Sequence, residues 1–244
     1  MINLSYPRFT GLYKVHGTKS FRLASSKLFG FGSNLQNLAK SVAEILIPDE
    51  GMSLVKMDQA GAEARVVAYC CLPGPYRELF EHGVKCHSFV AMHLFKDRFK
   101  PSKEALEASP KKLSQMEEWT NHLAKRIAGS GKPYDIGKMV SHASNYGIAG
   151  TEFAINCLDK SRGTLVISNR EAQLFIDTYL DLFPEIAKWQ AETINRVKTE
   201  RVLRNLFGYP RQFNQTLSES YFKEALSFIP QSTVGVLNNR VFAD

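Results

Sequence analysis

Two groups of residues in this chain have the types and spacing to do chemistry. Asp58 follows the apolar run Ser53-Leu54-Val55-Lys56-Met57, Glu63 comes five residues later and Arg65 two after that. An acid at the end of a strand is suited to hold a divalent metal in a cleft, because hard cations such as Mg²⁺ take oxygen ligands and share them with phosphates. Lys138, His142 and Tyr146 recur at a spacing of four, which on a helix makes one slowly drifting stripe. A cation, an imidazole and an aromatic ring on one face are an odd surface for packing into a core. They suit a nucleotide, with charge for the phosphates and a ring against base and sugar. Each group also has a plainer reading. The first is a surface turn leading into a helix, with Glu63 favoured at the helix start by the macrodipole. The second is a solvated charged face.

The elements that must carry these residues follow from hydrophobic pattern. Residues 52–58 read as a buried strand bounded by the turn Pro48-Asp49-Glu50-Gly51, and 63–70 as a short helix. Upstream, residues 8–26 place Tyr13, Val15 and Phe21 among Gly and Thr and read as hairpin strands, followed by a Gly/Ser/Asn loop over 27–37. From 75 to about 207 the pattern is mostly helical. Residues 76–82 and 86–95 have helical spacing with a break at Gly83, and 103–127, rich in Lys, Glu and Leu and interrupted by Pro110, read as two solvated helices. After a turn at 129–133, a helix opening at Tyr134 or Asp135 and running to about Gly147 carries the stripe. Asn169 is the expected N-cap of 170–182, and Pro184 opens a helix to about Lys198. Residues 201–213 alternate as a hairpin around Gly208-Tyr209-Pro210. Residues 217–228 read as helical, and a last helix is expected from Pro230. Strand-bearing ends around a helical middle, with no Pro/Ser-rich linker, predict one sheet-containing domain with a helical insertion.

Bulk properties bound the function. The 244 residues are enough for one large domain or two small ones, and 44% hydrophobic with 23% charged content fits an ordinary soluble globular protein. The net charge of +7 gives mild support to a polyanionic partner. Cys70, Cys71, Cys86 and Cys157 form no CxxC pair, which points to a reducing compartment rather than a disulfide framework. The N-terminal residues 1–8 lack the apolar core of a signal peptide and no run is long enough to span a bilayer, so a cytoplasmic location without membrane contact is expected.

Five segments in register over nearly the whole chain resemble the polymerase domain of family A DNA polymerases, the bacterial DNA polymerase I class, with phage members closest. Gly17-Thr18-Lys19-Ser20-Phe21-Arg22-Leu23-Ala24-Ser25-Ser26 followed by Asn34-Leu35-Gln36-Asn37 is similar to TGRLSS…NLQN. The stretch from Asp58 to Arg65 resembles motif A, and Phe80-Glu81-His82-Gly83-Val84-Lys85-Cys86-His87-Ser88 resembles the F-x-x-G-x-D-I-H-[ST] pattern that follows it. The stretch from Lys138 to Gly150 resembles motif B, the fingers helix. Gly208-Tyr209-Pro210-Arg211, Glu224-Ala225 and Pro230-Gln231-Ser232-Thr233 resemble the GRxR and A-x-N-x-x-x-Q-G-T region. The resemblance implies an α+β fold of right-hand polymerase architecture, with a partial antiparallel palm sheet and a mainly helical fingers insertion. The expected divisions are palm over 1–70, fingers over 71–200 and palm return over 201–244.

It also implies template-directed addition of deoxyribonucleotides to a primer 3′ end, through two Mg²⁺ ions that stabilise the attacking and leaving oxygens. Asp58 takes the position of the metal-binding aspartate of motif A. Glu63 takes that of the ribose gate, whose length leaves no room for a 2′-hydroxyl; Arg65 is read as support for the motif A loop. Lys138 and His142 stand where the family has Arg and Lys; lysine keeps a point charge but loses the bidentate fork. His142 takes the place of the proton donor to the leaving pyrophosphate, and His87 that of a histidine near the nucleotide phosphates. Tyr146 in the third place implies weak discrimination against dideoxynucleotides. Arg22, Asn34, Gln36, Asn37, Lys223 and Gln231 match positions that touch primer-template DNA, mostly through its backbone and minor groove. Gly61 replaces a motif A Gln, Gly150 replaces a second motif B tyrosine, and Ser41 replaces an Arg phosphate ligand for which Lys40 can compensate.

Motif C, a His-Asp dipeptide on a tight turn between palm strands, is not found: none of the six histidines is followed by Asp. The expectation is an incomplete polymerase with Leu54 and Val55 partly uncovered, working with a separate C-terminal polymerase fragment if the gene is split. The competing expectation is a non-catalytic DNA-binding module that keeps the basic cleft without the metal site. If His142 is the general acid, the chemical step should slow with rising pH across the histidine range, roughly pH 6 to 9. A flat profile there in single-turnover kinetics removes His142 from the role.

Overall fold

The computed structural model describes residues 12–14, 17–26, 41, 44–55 and 59–243. Asp58, Asn34, Gln36 and Asn37, the expected loop 27–37 and the end of the expected strand at 56–58 lie outside them. The chain divides into two compact units, residues 1–62 with 231–244, and residues 63–230.

In the first unit, β1 (Leu12–Lys14) pairs antiparallel with β2 (Ala24–Ser26), as the alternating pattern predicts. The connection is tied by Thr18 Oγ1, which donates to the Arg22 carbonyl at 2.8 Å. The C-terminal part of the last helix braces the same turn, with Asn239 Nδ2 donating to the Phe21 carbonyl at 2.8 Å. The expected buried strand is not formed over 52–55: these residues are irregular, with Leu54 62% and Val55 79% exposed. A strand exists only when a neighbour takes up its backbone N–H and C=O groups, and no described strand pairs with this one.

The second unit is helical. Its elements are α1 (Ala62–Cys70), α2 (Pro75–Glu81), α3 (Cys86–Leu94), α4 (Lys96–Phe99), α5 (Lys103–Glu107), α6 (Pro110–Gln115), a wide π-helical turn (Trp119–Leu123), α7 (Ala124–Ala128), α8 (Lys132–Asn145), α9 (Gly150–Lys160), α10 (Asn169–Leu182) and α11 (Pro184–Glu200). A hairpin of β3 (Val202–Arg204) and β4 (Pro210–Gln212) follows. The closing helix, α12 (Glu219–Ala243), crosses the division between the units. Three expectations are corrected. Residues 103–127 are four short pieces rather than two solvated helices, because Leu113, Trp119, Leu123 and Ile127 are buried. Each such side chain contributes roughly 1.5–3 kcal/mol on burial, which outweighs the polar look of the segment. The N-cap of α10 is Ser168, whose side chain accepts from the Glu171 N–H. Pro230 lies inside α12 instead of opening a new helix.

The core of this unit centres on Tyr76, whose ring meets Phe80, Tyr179 and Phe183 edge-on at 5.4, 6.3 and 5.0 Å. Helix α8 lies against α3 at a close backbone approach. A Cβ on Gly137 would sit 2.6 Å from the His87 carbonyl oxygen and 3.0 Å from Ala91 Cβ. Gly137→Ala gains about 1 kcal/mol of helix propensity, but overpacking against backbone costs about 1–3 kcal/mol, so the variant should melt several degrees lower. A scanning-calorimetry Tm equal to or above wild type would contradict this contact.

Candidate functional site

Helix α8 is amphipathic by spacing alone. Pro133, Ile136, Gly137, Val140, Ser141, Ser144 and Asn145 are buried, three and four residues apart, and Lys138 and His142 emerge exposed between them. The helix closes at Tyr146, whose N–H bonds back to the Ala143 and Ser144 carbonyls. The His142 ring stands edge-on to the Tyr146 ring at 5.3 Å. The Tyr146 hydroxyl donates to Glu63 Oε2 at 2.6 Å, joining the first turn of α1 to the end of α8 across 83 residues of sequence. A phenol donating to a carboxylate makes a charge-assisted bond, roughly twice as strong as a neutral one.

His87 sits half-buried in the first turn of α3, edge-on to Tyr134 at 5.8 Å. Burial, and then the positive charges of Lys138, His142 and Lys85, push its imidazole pKa down to about 4. Lys85, His87, Lys138 and His142 therefore lie in one neighbourhood, in which burial and the nearby cations keep His87 neutral at physiological pH. Arg65 packs its guanidinium over the Phe80 ring at 5.3 Å.

The turn between Asn145 and Tyr146 is held from three other helices. Asn145 Nδ2 donates to Tyr76 Oη at 2.9 Å and Tyr179 Oη donates to Asn145 Oδ1 at 2.8 Å, all within buried surroundings. Gln190 Nε2 donates to the carbonyls of Ser144 and Asn145 at 2.6 and 3.1 Å. Elsewhere in this unit, Arg211 pairs with Glu224 at 2.6 Å and lies over Phe213 and Phe228. Lys223 meets Glu152 and, at 3.0 Å, Glu219, so acidic neighbours inside the protein match its charge.

No protein-family model matches the chain. By sequence it is similar to DNA polymerase I of Caldicellulosiruptor bescii, 24% identical over 216 residues that cover 86% of this chain and 21% of that protein. By structure it matches the polymerase domain of Pol1 from M. smegmatis, solved with a DNA primer-template and dNTP, at a TM-score of 0.61 and 18% identity. That match covers 92% of this chain and 35% of the other. The chain has a polymerase-domain fold. Both comparisons agree with the family A resemblance in its sequence, and the chain spans about a fifth of the curated relative's length.

Within this polymerase fold the structure brings together Glu63, His87, Lys138, His142 and Tyr146. Arg22, exposed, and Gln231, half-buried, belong to the other unit. Among the described residues no group of three or more His, Cys, Asp or Glu side chains is placed to hold a metal ion. No described helix is long and apolar enough to cross a membrane. Burial raises the Cys71 and Cys86 thiols to about 12, which leaves them protonated and unsuited to nucleophilic chemistry. Sequence reasoning missed Tyr134, Asn145, Tyr179 and Gln190. Tyr134 had a signal, lying four residues before Lys138 and so extending the stripe; the other three meet only through the fold.

His87 supplies an acid-stability prediction. Its folded pKa of about 4 lies below the ordinary 6.5, so the unfolded chain takes up the proton first. The stabilisation is complete above the ordinary value and is lost as pH falls toward 4. His87→Gln should therefore show a smaller drop in Tm between pH 7 and pH 5 than wild type. Equal drops in the two proteins would remove His87 from this balance.

Proposed function

We propose that this chain performs template-directed DNA synthesis as part of a family A DNA polymerase, adding deoxyribonucleotides to a primer 3′ end. The observation that carries the reading is the bond between Tyr146 and Glu63, which ties the motif A helix to the end of the motif B helix next to His142. In this reading the exposed Lys138 and His142 face the triphosphate, with His142 as proton donor to the leaving pyrophosphate and the neutral His87 beside them. The Tyr146 ring lies against base and sugar, and Glu63 stands at the sugar 2′ carbon. Arg22, Asn34, Gln36, Asn37, Lys223 and Gln231 line the primer-template path, and palm, fingers and palm return fall at 1–70, 71–200 and 201–244. The name of the Caldicellulosiruptor bescii relative, the primer-template and dNTP held by the M. smegmatis domain, and the net charge of +7 support it.

Mg²⁺ held through Asp58, with two ions expected in the complete enzyme, would supply charge stabilisation at the attacking and leaving oxygens. A cytoplasmic location, the host cytoplasm for a phage-encoded protein, goes with this function. A second reading is a DNA-binding module that synthesises nothing, which the net charge of +7 also suits.

Primer extension and primer-template binding measured side by side separate the two. Under the first reading Asp58→Ala lowers incorporation by more than about 100-fold, the scale of losing one preorganised electrostatic stabiliser, and leaves salt-sensitive DNA binding intact. Glu63→Ala then admits ribonucleotides. A chain that binds primer-template equally with and without Asp58 and extends nothing supports the second reading.

A further inference from the structure

Gln190 reaches from α11 to the last turn of α8, where its Nε2 donates to the Ser144 carbonyl at 2.6 Å and the Asn145 carbonyl at 3.1 Å. Both belong to the last four carbonyls of the helix, which lack the regular helical partner four residues on; Ser144 also accepts from the Gly147 N–H at 3.2 Å. Asn145 is gripped on its side chain as well, by Tyr76 of α2 and Tyr179 of α10, and all three residues are buried. Both the main chain and the side chain of the residue before Tyr146 are thereby fixed. Tyr146 follows at once, and its hydroxyl makes a 2.6 Å bond to Glu63. Such a bond tolerates little displacement: O–H···O contacts run from about 2.5 to 3.0 Å and weaken steeply when misaligned.

We propose that Gln190, assisted by Tyr179, is a positioning residue for the Glu63–Tyr146 pair, and that sugar selection at this pair depends on it. By fixing where α8 stops, it sets the direction in which Tyr146 leaves the helix and so keeps the phenol on the carboxylate. The sugar-selecting role of the pair rests on the proposed function; the positioning of Tyr146 stands apart from it.

The test uses the full chain with tyrosine labelled at ¹³Cζ. The Tyr146 resonance is identified by its loss in Tyr146→Phe, and Glu63→Gln shows where it moves when the carboxylate becomes an amide. Gln190→Met keeps the length of the side chain but has no donor, and it should move the resonance in the same direction. On a primer-template whose next template base is T, the preference for dATP over ATP in equilibrium binding should fall about 2- to 10-fold in Gln190→Met, the worth of one neutral hydrogen bond. The double variant with Tyr146→Phe should be no worse than Tyr146→Phe alone. A Tyr146 resonance unmoved in Gln190→Met overturns the proposal, whatever that variant's Tm. If Gln190→Met does not fold, Tyr179→Phe decides the question through Asn145 with the same readouts. Wild-type chain that binds dATP and ATP equally overturns the sugar-selecting half, while the resonance still decides the positioning half.

Discussion

Helix α8 can lie where it does only because position 137 carries no side chain. Its backbone approaches α3 so closely that the His87 carbonyl occupies the place a β-carbon would need. The contact continues one turn on, where Cys86 Sγ donates to Ser141 Oγ and Ser141 Oγ in turn donates to the Gly137 carbonyl. Once that face is committed to α3, the helical repeat leaves no choice about the other: Lys138 and His142 must point away from the core. The same approach brings the His87 ring into the field of Lys138 and His142 and edge-on to Tyr134. Charge placement at the candidate site is thus a by-product of one backbone contact.

Buried polar groups do the fine adjustment. Taking an amide and two phenols out of water is unfavourable unless each finds a partner, and Tyr76, Tyr179 and Asn145 find one another. Burial pushes both phenol pKa values up, so the network stays protonated and keeps its donors. A hydrogen-bonded polar cluster of this kind specifies one geometry more sharply than apolar packing, because a slipped arrangement leaves a donor or acceptor stranded. Here that specificity is spent on Asn145, the residue that precedes Tyr146.

What the sequence reveals about this protein depends on how local each feature is. The stripe of Lys138, His142 and Tyr146 is legible because three side chains on one helix need only the helical repeat, and the helix boundaries near Pro75, Cys86 and Pro184 follow from punctuation by Gly and Pro. The hairpin at 201–213 is legible for the same reason. The expected strand at 52–55 fails because a strand is a property of a pair, and pattern alone does not say whether a neighbour is there. Residues 103–127 mislead because Lys and Glu outnumber the few apolar side chains that decide burial, Trp119 among them. The grip of Gln190 on α8 spans some 45 residues and leaves no trace in local spacing. Asp58 lies outside the described residues, so its place rests on sequence alone.

Glu185 reveals something about the order in which the molecule can be finished. Its carboxylate is buried against the start of α2, where it accepts from the Tyr76 N–H at 2.6 Å, and it sits so near Gly74 that a β-carbon there would lie 2.7 Å from its oxygen. The two partners are 109 residues apart in sequence. Helix α2 is therefore without its N-terminal anion, and the Tyr76 aromatic cluster without its Phe183 wall, until the chain has been made as far as the first turn of α11. A growing chain leaving the ribosome carries α2 as an unfinished element across that whole interval, its apolar face waiting for a surface not yet made. Completion of this end of the unit consequently waits on residues 183–185 rather than following from the N-terminus.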